Sequence, residues 1–411
     1  MIEQIINIGN DWLEKQEYIF QMTDAILYLL FLIAVLYLFI FALYSVRKPL
    51  YSYPTASRKY RFAVLYPAYM EDEVIIDSVQ NFQKQDYPRE LYDIIVVSNL
   101  MTEETNKTLR EMSVKVIEIE MKKSTKIQAL QKATEYIEGN SLVYDNIIIL
   151  DADNVVENDY INKINDAFYA GCSVIQTHRV AKNRDRDTNT AVLDAVSEEI
   201  NNSIFRKGHT RLGFSSALSG SGMAFEYDIF KELIQGIDDT GEDKYMERKL
   251  LLRNIYIEYL QDVYTYDEKV RKNKDFYNQR RRWLATQTNN LFMGLSQLPS
   301  ALFKGYWDYC DKLFQWMMPP RVLLLGFITL FACFLTMIDL TLSIKWWGLL
   351  ILLGITFSLA VPDYLVDKRF KKAIASLPIL FLLMFFNLFR LKGGSKRFIH
   401  TKHSNKNENS D

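Results

Sequence analysis

The chain has 411 residues, with 49 Lys and Arg against 50 Asp and Glu, a net charge of −1. A balance this even argues against a dominant nucleic-acid-binding face, and 16 Gly with 9 Pro exclude a low-complexity chain. Charge fills the middle of the sequence and apolar residues gather at both ends.

Residues 1–24 form an acidic N-terminal segment, with Glu3, Asp11, Glu14, Glu17 and Asp24 against Lys15. Ala25–Val46 then carries no charge and is long enough to cross a hydrocarbon core. A secretory signal would start basic and be shorter, so 25–46 reads as a permanent anchor. Arg47 and Lys48 follow at once, which places the N-terminus outside and Arg47 inside.

Residues 60–283 read as one α/β domain. Phe62–Tyr66, Ile94–Val97, Val114–Ile119 and Ile147–Leu150 are short apolar runs. Amphipathic stretches through Val74, Ile75, Val79 and Phe82, and from Lys126 to Ile137, separate them. Unbroken apolar strands alternating with helices predict a mostly parallel, Rossmann-like sheet covered on both faces. Ligands on such sheets bind beyond the carboxyl ends of the strands, where Tyr66-Pro67-Ala68-Tyr69, Ser98-Asn99 and Asp151-Ala152-Asp153 fall.

Three patterns carry chemistry. Asp151 and Asp153, two carboxylates at a strand end, suit one Mg²⁺ or Mn²⁺; alone, such a pair is more often a solvated acidic turn. Glu242 and Asp243 open a helical run reaching Leu252. They are either helix-start partners of the dipole or a general base, with Glu247 one turn on as the alternative base. Gln279-Arg280-Arg281-Arg282-Trp283 offers cations for phosphate and a ring for a sugar, or a basic cluster for anionic lipid.

Residues 284–320 carry an apolar stripe of Phe303, Tyr306, Trp307, Cys310, Leu313, Phe314 and Met317 at helical spacing. This helix either lies in the membrane surface or packs on the soluble domain. Within 321–391, Val322–Ile338, Trp346–Val361 and Ala373–Phe389 are further apolar runs, and 392–411 is a basic polar tail. Four crossings would leave that tail outside, against the positive-inside rule; a last run that is re-entrant or interfacial would not. Cys172, Cys310 and Cys333 are odd in number and form no C-x-x-C, so they read as free thiols of a cytosol-facing protein.

Taken in order, these patterns resemble family 2 glycosyltransferases of the membrane-embedded type, the group of cellulose, chitin and hyaluronan synthases. Tyr66 to Glu73 is similar to that group's opening P-A-Y-N-E-E strand end. Asp151-Ala152-Asp153 matches its D-x-D, Glu242-Asp243 its E-D, and Gln279, Arg282 and Trp283 its Q-x-x-R-W. Lys126 lies in a segment similar to K-x-x-A-L-N, and Ser219 to Met223, with Gly222, resembles the acceptor loop. The resemblance implies a cytosolic GT-A domain with transmembrane helices at both ends, in a multi-pass protein of a bacterial inner or plasma membrane.

It also implies an inverting transfer from a nucleotide-sugar, a UDP-sugar, to a hydroxyl of a growing glycan, processive polysaccharide synthesis at the membrane, with a glycan or lipid acceptor, the lipid bilayer as partner and no nucleic acid involved. Pro67, Tyr69, Glu71, Asn99, Lys126, Asp151 and Asp153 would bind the donor. Asp151 and Asp153 would hold Mg²⁺ or Mn²⁺, Asp243 with Glu242 would be catalytic, and Gln279, Arg282, Trp283 and Gly222 would serve acceptor and phosphates. Asn99 departs from the aspartate usual at the second strand's end. The alternatives are transfer of a single sugar to a lipid or oligosaccharide, and a catalytically impaired subunit of a polysaccharide export complex.

Overall fold

The computed structural model describes residues 2–47, 53–121, 125–182, 188–235, 241–268 and 273–388; Thr240 and the tail at 392–411 lie outside the described residues. Helix α1 (Ile2–Ser45) leads into β1 (Phe62–Tyr69), α2 (Ile75–Phe82), β2 (Tyr92–Asn99), α3 (Glu103–Glu111), β3 (Lys115–Ile119), α4 (Lys126–Gly139) and β4 (Asn146–Ile149). Next come β5 (Val155–Val156), α5 (Tyr160–Tyr169), β6 (Val174–Ala181), α6 (Asn189–Ile200), a π-helix (Asn201–Gly208) and the single turn α7 (His209–Arg211). Then follow β7 (Met223–Glu226), α8 (Tyr227–Ile234), α9 (Glu242–Leu252) and β8 (Glu258–Asp267). The rest is helical: α10 (Asn273–Leu295), α11 (Leu298–Lys304), α12 (Trp307–Met317), α13 (Arg321–Ile338), α14 (Leu340–Ala360), α15 (Lys368–Ile374) and α16 (Leu377–Leu388).

Among the described residues the strands form one sheet, ordered β3-β2-β1-β4-β7-β6-β8-β5. Pairing is parallel from β3 through β4 and between β6 and β8; β7 and β5 pair antiparallel. The apolar runs are continuous because both faces are covered. Ala63, Leu65, Ile95 and Val97 pack on Ile127, Leu130 and Ala133 of α4. Phe62, Val64, Ile94 and Val96 pack on Val79 and Phe82 of α2 and Ile161 of α5. Each such aliphatic side chain contributes about 1.5–3 kcal/mol by leaving water. Helix α4 starts at a capping box in which Thr125 accepts from the Gln128 N–H and the Gln128 side chain reaches back. The chain leaves β1 toward β2 and later returns to its other side as β4. That reversal opens a crevice beyond the carboxyl ends of β1 and β4.

Among the described residues three helices are long and apolar enough to cross a membrane: Lys15–Ser45, Arg321–Ile338 and Leu340–Ala360. They share a core of Val35, Leu38, Leu324, Ile328, Trp346 and Leu353. Asp24 is buried there, paired with Lys345 and accepting from Trp346 Nε1 at 2.8 Å. The fourth expected run is not one straight helix. Helices α15 and α16 meet at 49°, giving a fourth crossing only if the bent pair counts as one span. Pro378, in the first turn of α16, has no N–H with which to continue the helix through the break.

The stripe at 303–317 is also split, because Gly305 at φ 71° ends α11. Tyr309, Leu313 and Trp316 of α12 are buried against Met246 and Leu250 of α9, whereas Phe303, Trp307 and Met317 stay exposed. The packed face is therefore Tyr309-Leu313-Trp316, and packing on the soluble domain prevails along it. Cys172, Cys310 and Cys333 are free.

Candidate active site

Strand β1 runs past its expected end to Tyr69, so Pro67 and Tyr69 lie half-buried at its carboxyl end. Just beyond, Met70 takes φ 55° and its N–H donates to Asn99 O at 3.0 Å. Asn99 itself is buried. Its Nδ2 donates to Met121 O at 3.1 Å and its Oδ1 accepts the Met121 N–H at 2.9 Å. The side chain expected to read a nucleotide base thus staples β2 to the chain after β3.

Five carboxylates meet at the crevice: Glu71, Asp72, Asp151, Asp153 and Glu268. Asp153 is buried, its Oδ1 accepting from Asn154 Nδ2 at 3.2 Å and its Oδ2 from the Glu268 N–H at 2.9 Å. Asp151 pairs with Lys126 Nζ. Glu71 is pushed up to about 9, first by burial and then by Asp153, Asp151, Glu268 and Asp72. Asp72 goes the other way: burial raises it, but hydrogen bonds from Thr102 and Thr105 hold it below the usual range. Glu268 was not anticipated; its signal is an acidic pair, Asp267-Glu268, at the end of a strand, as in the D-x-D.

Among the described residues no three Asp, Glu, His or Cys side chains form a metal cage by themselves. Mg²⁺ and Mn²⁺ commonly bind through one or two carboxylates together with substrate phosphates. Asp151 and Asp153, hard donors beside the repelled Glu71, fit a cation that arrives with a diphosphate.

Lys126 ties this cluster to two others. Its Nζ also donates to Gly220 O and lies 3.9 Å from Glu242 Oε1. Gly220 is the loop glycine that faces the site, its Cβ position 3.5 Å from Glu242 Oε1. Gly222 sits behind it, with φ 65° and an added Cβ 2.5 Å from Thr177 Oγ1. Its N–H donates to Ile149 O and its carbonyl accepts from Thr177, so its backbone is tied to the strands beside it.

Glu242 and Asp243 occupy the first turn of α9, where the helix dipole favours negative charge. Burial pushes the Glu242 carboxyl up; Lys126 opposes this and Asp243 adds to it. The Asp243 side chain is 23% exposed, with Lys244 Nζ 3.7 Å away. Glu247 has no exposure. It is enclosed by Lys312 Nζ at 2.9 Å, Lys244 Nζ at 3.4 Å and the Leu218 N–H at 3.0 Å. Burial raises the Glu247 carboxyl, but the two lysines outweigh it and hold it low. Of the two candidate bases, Asp243 is the one a substrate can reach.

Gly241 precedes this turn at φ 117°, and an added Cβ would stand 2.1 Å from Thr286 Cγ2 of α10. Gly241→Ala is expected to lower stability by about 1–3 kcal/mol through combined strain and overpacking. Thermal unfolding in detergent checks this, and an unchanged Tm would contradict it. The same contact brings α10 across the start of α9, one turn beyond Trp283. Trp283 is 40% exposed and carries the Arg280 guanidinium over its ring at 4.6 Å. Arg280 pairs with Asp194, Arg282 is half-buried, and Gln279 Oε1 is buried with no hydrogen-bond partner among the described residues.

His178 and Arg179 are structural, bonded to Glu199 and Gln261 and to Asp267. His209 follows the π-helix and is fully buried.

A family model described as "Glycosyltransferase like family 2" matches residues 60–286, more than half of the chain. The protein belongs to this family. The match begins at the residue before Arg61 and ends on α10 just past Trp283, and it takes in Asp151, Asp153, Lys126, Glu242 and Asp243. The mannosyltransferase PcManGT from Pyrobaculum calidifontis, in complex with GDP-Man and Mn²⁺, superposes with a TM-score of 0.52 at 15% identity. The match covers 82% of this chain and 98% of that one. It supports a shared GT-A fold for this family 2 glycosyltransferase. S. aureus TarS 1-349 in complex with UDP-GlcNAc aligns at 15% identity with a TM-score of 0.39, covering 81% of this chain and 90% of that one. No curated protein sequence matches the chain.

Proposed function

We propose that this family 2 glycosyltransferase is membrane-anchored and inverting, moving a sugar from a UDP-sugar to a hydroxyl of a growing glycan. The observation that carries this is Lys126, which joins the Asp151 carboxylate, the Gly220 carbonyl and the Glu242 carboxylate in one crevice. Pro67, Tyr69 and Glu71 close the donor side. Asp243 takes the proton of the attacking hydroxyl. Glu242, held by Lys126, sets the position of that turn. Asp151 and Asp153 would hold Mg²⁺ or Mn²⁺, which when bound neutralises charge on the departing diphosphate. Trp283 offers an exposed ring to the acceptor sugar, and Arg282 and Gln279 line the same helix turn.

Product analysis tests this. Membranes carrying the protein are given a panel of UDP- and GDP-sugars, and nucleotide release and product length are scored. Long chains from a UDP-sugar are expected. Three candidate spans and one bent pair among the described residues would leave little room for a polymer channel, which favours the single-sugar alternative; a product extended by one sugar would establish it.

The orientation is tested by cysteine labelling in a background lacking Cys172, Cys310 and Cys333. In intact cells an impermeant maleimide should label a cysteine placed at residue 10 and leave one at residue 162 unlabelled. The reverse pattern would place the transferase domain outside.

A further inference from the structure

A run of buried and half-buried polar side chains links α9, the helix of the proposed base, to the candidate span Lys15–Ser45. Lys244, next to Asp243, donates to Leu218 O at 3.2 Å and meets Glu247 at 3.4 Å. Glu247 Oε1 meets Lys312 of α12 at 2.9 Å, and Lys312 Nζ donates to Gln315 Oε1 at 2.8 Å. Gln315 Nε2 donates to Asp311 Oδ2 at 2.7 Å and lies 3.0 Å from His209 Nε2. Tyr37, on the span Lys15–Ser45, closes the run: its hydroxyl donates to Asp311 Oδ1 at 2.6 Å and stands 2.8 Å from His209 Nε2.

The surroundings fix this geometry. His209 Nδ1–H donates to Ile204 O at 2.6 Å, and the Phe41 ring of α1 stacks on the imidazole at 3.6 Å. The backbones touch as well. A Cβ on Gly208, which ends the π-helix, would lie 2.2 Å from Phe41 O. Stability alone is a poor reason for such a run. Buried ion pairs are often no more stabilising than apolar residues of the same volume, and their best-attested use is to fix register. Here the links within α9 and within α12 are joined by crossings between elements: Lys244 and Glu247 of α9 to the loop at Leu218, Glu247 to Lys312 of α12, and Tyr37 of α1 to Asp311 of α12.

We infer that Tyr37, Lys312 and Glu247 are positioning residues: docking of α1 sets, through this run, where Lys244 and the Asp243 carboxylate stand, so that transfer depends on the anchor. The inference rests on Asp243 being the base. Donor binding, at the Asp151-Asp153 end of the crevice, is untouched by it.

The test uses the full chain in detergent and the nucleotide-sugar from the UDP and GDP panel that gives the fastest nucleotide release. Tyr37→Phe, which removes one hydroxyl, and Lys312→Met should each lower kcat by about 10- to 100-fold, the scale of a small misplacement of a catalytic group. Donor KM should stay at the wild-type value, and the double variant should be no slower than the worse single, since both cut one run. Lys312→Arg, which keeps the charge, should recover part of kcat. If Asp243→Asn is slow but Tyr37→Phe and Lys312→Met turn over at the wild-type rate, the run has no such role and the base assignment stands. If kcat and donor KM worsen together and the two effects add, the residues merely hold the fold and the inference is overturned. Should Lys312→Met not fold, Tyr37→Phe alone decides, since loss of kcat at constant donor KM is still required of it.

Discussion

Asp243→Asn is expected to slow sugar transfer by about 10²–10⁴, the usual cost of a lost general base, while donor affinity stays at the wild-type value. The substitution keeps size and much of the hydrogen bonding but removes the proton acceptor. Lys244 Nζ, 3.7 Å away, would lose a charge partner but keep Glu247 and Leu218 O, so the turn should hold. Single-turnover kinetics with a saturating donor checks this. Transfer within a factor of about ten of wild type, below the usual range for a lost base, would remove Asp243 from the mechanism.

Glu247→Gln should lower kcat less, by the roughly 10- to 100-fold expected of a positioning residue, and should cost stability as well. It strips the counter-charge from Lys312, which is 3% exposed, and breaking a buried pair costs about 3–5 kcal/mol. The same pair gives a pH dependence. The Glu247 carboxyl is depressed in the fold, so its stabilisation is complete above the unfolded glutamate value near ~4.3 and is lost as pH falls through the folded value. The Tm of the wild type should therefore fall on acidification more steeply than that of Glu247→Gln. Equal slopes would contradict the pairing.

The second large effect belongs to Asp153. Asp153→Ala should abolish Mn²⁺-dependent nucleotide binding and with it turnover, because a hard cation shared with a diphosphate loses a ligand that the remaining Asp151 cannot replace. Asp151 keeps its pairing with Lys126, and the strands behind it are apolar and packed, so folding and insertion should survive. Titration of UDP with and without Mn²⁺ reads this directly. Undiminished Mn²⁺-dependent binding in the variant would show that the cation sits elsewhere.

Much of this site is legible in the sequence where local pattern decides geometry. Four apolar residues before Asp151 make a central strand, and a strand end on a parallel sheet is where a ligand sits, so the Asp151-Asp153 pair is placed by periodicity alone. The apolar face of α4 likewise fixes Lys126 at its start. Asn99 is not legible, because its engagement with Met121 depends on the register between β2 and the chain after β3. Glu268 and the Glu247-Lys312 pair are hidden for a related reason, since long-range packing joins residues that no spacing relates. The π-helix at Asn201–Gly208 has no periodic signature of its own. It follows α6 without a break and is shaped by the backbone approach of Gly208 to Phe41. The stripe from Phe303 to Met317 is regular in sequence, yet one glycine in the left-handed region divides it.

The most direct measurement is an experimental structure of the full chain with UDP and Mn²⁺. The cation should lie about 2.1 Å from carboxylate oxygens of Asp153 or Asp151, the distance range of a small hard divalent ion. The diphosphate should lie between Lys126 and the end of β1, with Asp243 facing the open side. UDP bound instead in the cavity lined by Tyr53, Lys207, Arg211 and Tyr259, with the Asp151-Asp153 crevice empty, would contradict this placement.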